Sequence, residues 1–473
     1  MSRGRTRAHR IRRRRTRTQS GGFSHVTNDT VVAIATPPGK GAIAVIRTSG
    51  PLSQTLAARL FRASSALEPR VARYGTVVDE RGATIDRGLA IFFSAPHSYT
   101  GEDVLELHVH GSPVVAREVV RAALSCGARS AAPGEFTRRA FLNGKMDLHE
   151  AAAVADVIDA ETRSAARAAV ANLGGGLTGE VSSLRGRLTA MLEELSGAID
   201  FPDEVPDPDR GALEGVLAAV VSRLEELRRD GERGRLVREG VTVAIVGPPN
   251  AGKSSLLNAL LGEDRAIVSD VPGTTRDTIE ETIAVDGVPV RLVDTAGIRA
   301  HADRLEAAGI DRTRRTLAGA RIALVVLDGS RELDAEGRDI LEATEGRERI
   351  VFINKADLGV RAALRRAEGD TVVGSAFDHA TLEMLRAAIA RAGWNGELPD
   401  LERPHLASIR EFDAVNEALD ALERARTTLA AGEPSDLCAG ELTRAFSALG
   451  HVCESVAAEE VLDGIFSRFC IGK

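Results

Sequence analysis

The period of the apolar positions changes three times along the chain. Between Asp29 and about Lys145 they fall in short strand-like runs, Val31–Ala35, Ala42–Ile46, Leu89–Phe93 and Val104–Val109. Helical stretches near 52–62 and 113–126 intervene, which predicts an α+β domain. From Asp147 long Ala/Leu/Glu/Arg helices take over, at about 147–172, 177–200 and 209–236, with Pro202, Pro206 and Pro208 breaking the run. A continuous apolar strand starts at Val241, and strands then alternate with helices to about residue 392, the pattern of a doubly wound parallel sheet. Helical periodicity returns from Ile409 to Arg468. Helices on both sides of the α/β stretch predict that it is inserted into a helical domain. The expected layout is a tail at 1–28, an α+β domain at 29–146, a first helical part at 147–238, an α/β domain at 239–395 and a second helical part at 396–473.

Charge alters this picture at one end. Residues 1–28 hold nine arginines and no acid, so the rest of the chain carries 52 basic against 68 acidic residues. An acidic body excludes a broad nonspecific nucleic-acid surface, and any RNA contact has to be local or shared with a partner. Three readings of the tail stay open: a transit-like segment, a nucleic-acid arm, or upstream codons in the gene model. Only five of the 61 basic residues are lysine, namely Lys40, Lys145, Lys253, Lys355 and Lys473, and each marks a place to look for work that a guanidinium cannot do. The four cysteines, 126, 438, 453 and 470, form no CxxC pair, which excludes a zinc or disulfide framework and points to the cytoplasm. No run of 18 apolar residues exists, so no membrane helix is expected.

The candidate chemistry sits in the α/β stretch. The strand Thr242–Val246 leads into Gly247-Pro-Pro-Asn250-Ala251-Gly252-Lys253-Ser254 and a helix beginning near Ser255. Such a loop wraps phosphate with backbone N–H groups, Lys253 reaches the β- and γ-phosphates, and the Ser254 hydroxyl ligates Mg²⁺. Four further elements follow in order. Gly273-Thr274-Thr275-Arg276 offers Thr275 as a second magnesium ligand, and Asp294-Thr295-Ala296-Gly297 closes the strand Val290–Val293. Asn354-Lys355-Ala356-Asp357 closes the strand Ile350–Ile353, where an aspartate accepts both N1–H and N2–H of guanine, and Ser375-Ala376 fits the last base-contacting loop. These elements predict a Ras-like GTP-binding domain. Ile298 stands where Ras-type enzymes place the water-orienting glutamine, so charge and water positioning must come from elsewhere. Asn250 can offer its side-chain carbonyl to a monovalent cation beside the phosphates, and Glu306 is a candidate to orient water.

Asp29-Thr-Val-Val-Ala-Ile-Ala-Thr-Pro-Pro-Gly-Lys-Gly41, Pro133-Gly-Glu-Phe-Thr137, Arg139–Leu148, Phe201-Pro-Asp-Glu204 and the terminal Phe469-Cys-Ile-Gly-Lys473 resemble the MnmE (TrmE) family of tRNA-modification GTPases. The resemblance runs from about residue 29 to 473. It implies a tetrahydrofolate-binding-type N-terminal domain and an all-α domain interrupted by the GTPase domain. It also implies folate contacts at Arg47, Glu106, Lys145 and Lys473, and a functional cysteine at Cys470. Asn250, Ser269, Val271 and Thr274 are the implied K⁺ ligands, and Glu306 the implied catalytic glutamate. The implied assembly is a homodimer that joins an FAD- and NADH-using MnmG-type partner in a heterotetramer or larger complex. With one-carbon tetrahydrofolate it would place an aminomethyl or carboxymethylaminomethyl group on carbon 5 of wobble uridine in certain tRNAs. Ser269 stands where threonine is commoner, Phe377 replaces the usual basic residue after Ser-Ala, and the tail has no family counterpart. The same nucleotide motifs would serve a ribosome-assembly or cell-cycle switch of the Era/EngA type, although no GxxG RNA module follows the GTPase segment. His108-Val-His110 places two imidazoles on one strand face, a metal pair or, without a third ligand, packing or substrate contact.

Overall fold

The computed structural model describes residues 29–201, 203–263, 280–294, 317, 319–361, 370–395, 403–453 and 459–473. The chain falls into two compact units, one ending at Asn143 and completed by Ile471–Lys473, the other Gly144–Cys470.

The first unit is built on seven strands: β1 (Val31–Ile34), β2 (Ile43–Ser49), β3 (Phe61–Arg62), β4 (Arg73–Val78), β5 (Thr84–Phe93), β6 (Val104–His110) and β7 (Arg129–Ser130). Their order is β3-β4-β5-β6-β2-β1-β7. The period of two sends Ala44, Ile46, Ala90, Phe92, Leu105 and Leu107 to one face, where Leu56 of α1 (Ser53–Leu60) and Val119 of α2 (Pro113–Ser125) complete a buried core. The same alternation leaves Arg47, Glu106 and His108 on the opposite face, beside the smaller cluster that β1 makes with Phe136 of α3 (Glu135–Leu142). The last residues of the chain join that side. Ile471 bridges to Pro133, and the Phe136 N–H donates to the Lys473 carbonyl at 3.2 Å. Gly472 has φ +108°, and a Cβ there would lie 2.4 Å from the Ile34 carbonyl oxygen, so only glycine lets the chain end approach β1 this closely.

The second unit begins with α4 (Leu148–Asp159), α5 (Arg163–Ala171), α6 (Gly176–Asp200) and α7 (Arg210–Glu239). Periodicity predicts a single helix over 147–172. The helix is in fact broken at Thr162, whose backbone is extended (φ −127°, ψ 159°) and whose hydroxyl accepts the Ala165 N–H at 3.1 Å, a capping role that competes with helix continuation. Next come β8 (Val241–Val246), α8 (Lys253–Glu263), β9 (Glu280–Val285), β10 (Val288–Asp294), β11 (Ile322–Asp328), α9 (Ala335–Ala343), β12 (Arg349–Asn354), β13 (Asp370–Val373) and α10 (His379–Trp394). The sheet order is β13-β12-β11-β8-β10-β9. Neighbours run parallel except β9, which is antiparallel to β10, a departure from the all-parallel expectation. Its cause is the two-residue turn Asp286-Gly287, where φ is +51° and +84°, the geometry that closes a tight hairpin.

Helices α11 (Ile409–Ala431), α12 (Ser435–Cys453) and α13 (Glu459–Phe466) finish the unit. Leu188 and Leu195 of α6 and Leu217 and Leu224 of α7 share one buried cluster with Val415 and Leu422 of α11 and Leu442 and Leu449 of α12. Residues on either side of the sheet segment therefore build a single helical core.

Candidate functional site

β8 delivers the phosphate-type loop at its C-terminal end, where five of its six residues are buried and the strand is fixed between β11 and β10. The loop closes through Asn250 (φ +62°) and Gly252 (φ +99°), and a Cβ on Gly252 would sit 2.2 Å from the Asn354 side-chain nitrogen. Glycine there permits the loop and the Asn354 side chain to meet. Lys253 Nζ donates to the carbonyls of Gly247 at 2.8 Å and Pro248 at 2.7 Å, which holds the ammonium over the loop. Phosphate oxygens are stronger partners than neutral carbonyls, so an anionic ligand would draw the ammonium to itself. Ser254 and Ser255 are exposed in the first turn of α8, at its positive dipole end.

Asn354, 3% exposed at the end of β12, ties three loops together. Its side-chain nitrogen donates to the Ala251 carbonyl at 2.9 Å, while its oxygen accepts the N–H of Lys355 at 2.8 Å and of Ala376 at 3.0 Å. Lys355 Nζ bonds the Asn250 carbonyl at 2.8 Å and Asp328 Oδ2 at 2.7 Å. Burial alone would raise the Asp328 carboxyl, but hydrogen bonds from Lys355 and Ser330 outweigh it and hold the group below the usual carboxylate range. Asp357 is exposed in the turn Ala356–Leu358 that follows, and Ala356 N–H bonds the Gly374 carbonyl, which brings the Ser375-Ala376 loop alongside. Sequence reasoning missed Asp328. Its only signal is an acid ending the apolar strand Ile322–Leu327, opposite Asn354 in register.

Asp294 ends β10, paired with Ile245 of β8, so the strand that carries it is neighbour to the strand that carries the phosphate loop. Ser269, Val271, Gly273, Thr274, Thr275, Arg276, Thr295, Ala296, Gly297 and Glu306 lie outside the described residues.

A second candidate face lies in the first unit. Arg47 and Glu106 are cross-strand partners, and Arg47 Nε donates to Glu106 Oε1 at 2.8 Å. The Arg47 guanidinium stacks 5.8 Å from the ring centres of both Tyr99 and Phe136. Lys473 belongs to the same face. Burial pulls its ammonium below the ordinary lysine range, the Arg47 charge pulls it further, and Glu106 opposes both. Three of the four implied folate residues, Arg47, Glu106 and Lys473, therefore converge. The fourth, Lys145, is exposed just inside the second unit, as is Cys470 at its end. Two cations, a carboxylate and two aromatic rings suit a flat, hydrogen-bonding heterocycle with an anionic tail. His108 and His110 part company: His108 Nε2 meets Glu106 at 3.2 Å, whereas His110 Nδ1 meets Asp86 at 2.9 Å. Among the described residues no group of three potential ligands surrounds either.

A phosphate loop and an asparagine–lysine loop locked into one piece by Asn354 define unit two as a P-loop GTP-binding protein. Residues 30–145 match the family model "GTP-binding protein TrmE N-terminus" and residues 148–470 the "MnmE helical domain". The chain belongs to the MnmE (TrmE) family. It is 44% identical over 456 residues to the tRNA modification GTPase MnmE of Chloroflexus aurantiacus, covering 94% of this chain and 100% of that one. The MnmE of Aquifex aeolicus is 41% identical over 448 residues, covering 94% and 99%. A solved structure of Aquifex aeolicus Era with GDP and aluminium fluoride is similar at 26% identity over 38% of this chain and 66% of that one, with a TM-score of 0.27.

Proposed function

We propose that the chain is a GTP hydrolase whose nucleotide cycle serves the modification of tRNA at carbon 5 of wobble uridine. The observation that carries this reading is the Asn354 side chain, which fixes the phosphate loop, the Asp357 turn and the Ser375-Ala376 loop at one spacing, suited to a guanine nucleotide. Asp357 would then select guanine, Lys253 and the N-terminus of α8 would hold phosphate, and Ser254 with Thr275 would hold Mg²⁺, which would supply positive charge to the phosphates. Asn250, Ser269, Val271 and Thr274 are assigned to K⁺, and Glu306 to the attacking water. Arg47, Glu106, Lys473 and Lys145 are assigned to one-carbon tetrahydrofolate, and Cys470 to the modification step. The same reading places the GTPase domain as an insertion in the helical domain, in a cytoplasmic homodimer that works with an FAD-dependent MnmG-type partner.

The test has two arms. In cells lacking the gene, tRNA nucleoside analysis is expected to show wobble uridine without its aminomethyl-type group, and full modification there would refute the tRNA assignment. The purified protein is expected to hydrolyse GTP several times faster in KCl than in NaCl at equal ionic strength, and equal rates would remove the K⁺ assignment alone.

A further inference from the structure

The hairpin β9–β10 meets the helices at its turn. Thr162 Oγ1 donates its hydrogen to the Gly287 carbonyl at 2.8 Å while accepting the Ala165 N–H at 3.1 Å, so one hydroxyl both caps α5 and grips the turn. The fit is close, because a Cβ on Gly287 would lie 2.0 Å from Ser164 Oγ. Behind the contact, Ala165 and Ala168 of α5 and Val237 of α7 share a buried cluster with Val285, Val288 and Val290. α5 in turn leads to Asn172, whose side-chain oxygen accepts the His405 N–H at 3.0 Å on the segment that returns from the sheet.

The other end of the hairpin faces the chemistry. In the chain, β9 follows directly on 264–279, the stretch that carries Thr275, and β10 ends on Asp294, the first residue of the Asp-Thr-Ala-Gly motif. Six backbone pairs make the hairpin stiff, and its arms span roughly 20 Å at strand rise. A displacement at the open end would be carried along the paired strands to the turn, where the Thr162 hydroxyl is bonded.

We propose that Thr162 is a positioning residue that couples the nucleotide state to the helices, through its hydrogen bond to the Gly287 turn. This rests on the GTPase reading above. In the full-length protein, amide exchange over 163–171 and 403–411 would be compared between GDP and a non-hydrolysable GTP analogue, with nucleotide affinity measured alongside. The wild type is expected to show a nucleotide-dependent difference in both segments. Thr162→Ser, which keeps cap and donor, retains it. Thr162→Asp caps the helix but has no hydrogen to donate when ionised, and is expected to lose at least three-quarters of the difference with nucleotide affinity changed less than twofold. A Thr162→Asp protein with the full wild-type difference, or a wild type that binds GTP yet exchanges identically in both states, would overturn the coupling alone. A wild type that binds no guanine nucleotide would overturn the GTPase reading and the coupling with it.

Discussion

Asn354 satisfies three backbone groups from three loops with one buried amide, so replacing it harms all of them together. Each hydrogen bond of this kind contributes about 1 kcal/mol, and an orphaned buried group costs more. Asn354→Ala is expected to weaken GDP binding by on the order of 100-fold, read by fluorescence titration with a labelled nucleotide, whereas Ser330→Ala at the periphery changes it by less than about threefold. An affinity for Asn354→Ala within threefold of wild type would show that the loops hold their spacing without it. The motif Asn354-Lys355-Ala356-Asp357 was legible because its chemistry is bound to its spacing. Asp328 was not, because it belongs to no local pattern. Only the parallel register of β11 with β12 sets it opposite Asn354 and within 2.7 Å of Lys355.

At the scale of elements, the segment Pro133–Thr137 shows why a short motif can be readable without its purpose. Gly134 caps α3 at φ +65°, and Glu135 accepts from Ala132 N–H at 2.8 Å and from Arg129 and Arg139. Arg139 is 4% exposed at its side chain and also reaches Asp29 at 2.7 Å and Glu102 at 3.1 Å. This ion network fixes α3, and α3 fixes Phe136 under Arg47. The chain end docks on the same helix, so deleting Ile471–Lys473 removes the Lys473 ammonium and leaves the Phe136 N–H without its partner. The deletion is expected to lower affinity for a one-carbon tetrahydrofolate more than tenfold by calorimetry while the seven-stranded core still melts cooperatively. Unchanged affinity would take Lys473 out of the site. The break at Thr162 was not legible, since threonine is tolerated within helices and its second partner, the Gly287 carbonyl, lies 125 residues away.

At the scale of the whole unit, the helices before and after the sheet are joined by a buried ion pair that no periodicity reveals. His149 Nδ1 of α4 meets Glu411 Oε1 of α11 at 2.9 Å, with both side chains almost wholly buried. Burial opposes charge on each, but the mutual attraction wins: His149 is raised above its ordinary value and Glu411 falls below the usual carboxylate range, helped by N–H donors from Ala407 and Ser408. Asp147, Asp156, Arg238 and His405 stand around the pair. Because folded His149 binds its proton more tightly than the unfolded chain does, its contribution is complete below about pH 6.5 and is lost as pH rises through the raised value. Glu411 behaves oppositely, its contribution being present above about pH 4.5 and lost as pH falls through the depressed value. His405, held down by burial and further by the His149 charge, slopes against His149, so the pH dependence is read as the difference between wild type and His149→Asn, which keeps His405 but relieves it of that charge. That substitution leaves a buried carboxylate without its cation and is expected to cost about 3 kcal/mol at pH 6. Urea unfolding should find the gap between wild type and variant narrower at pH 9 than at pH 6. A gap that is constant or widens with pH would mean that His149 is neutral in the folded protein and that charge attraction does not join the two helical segments.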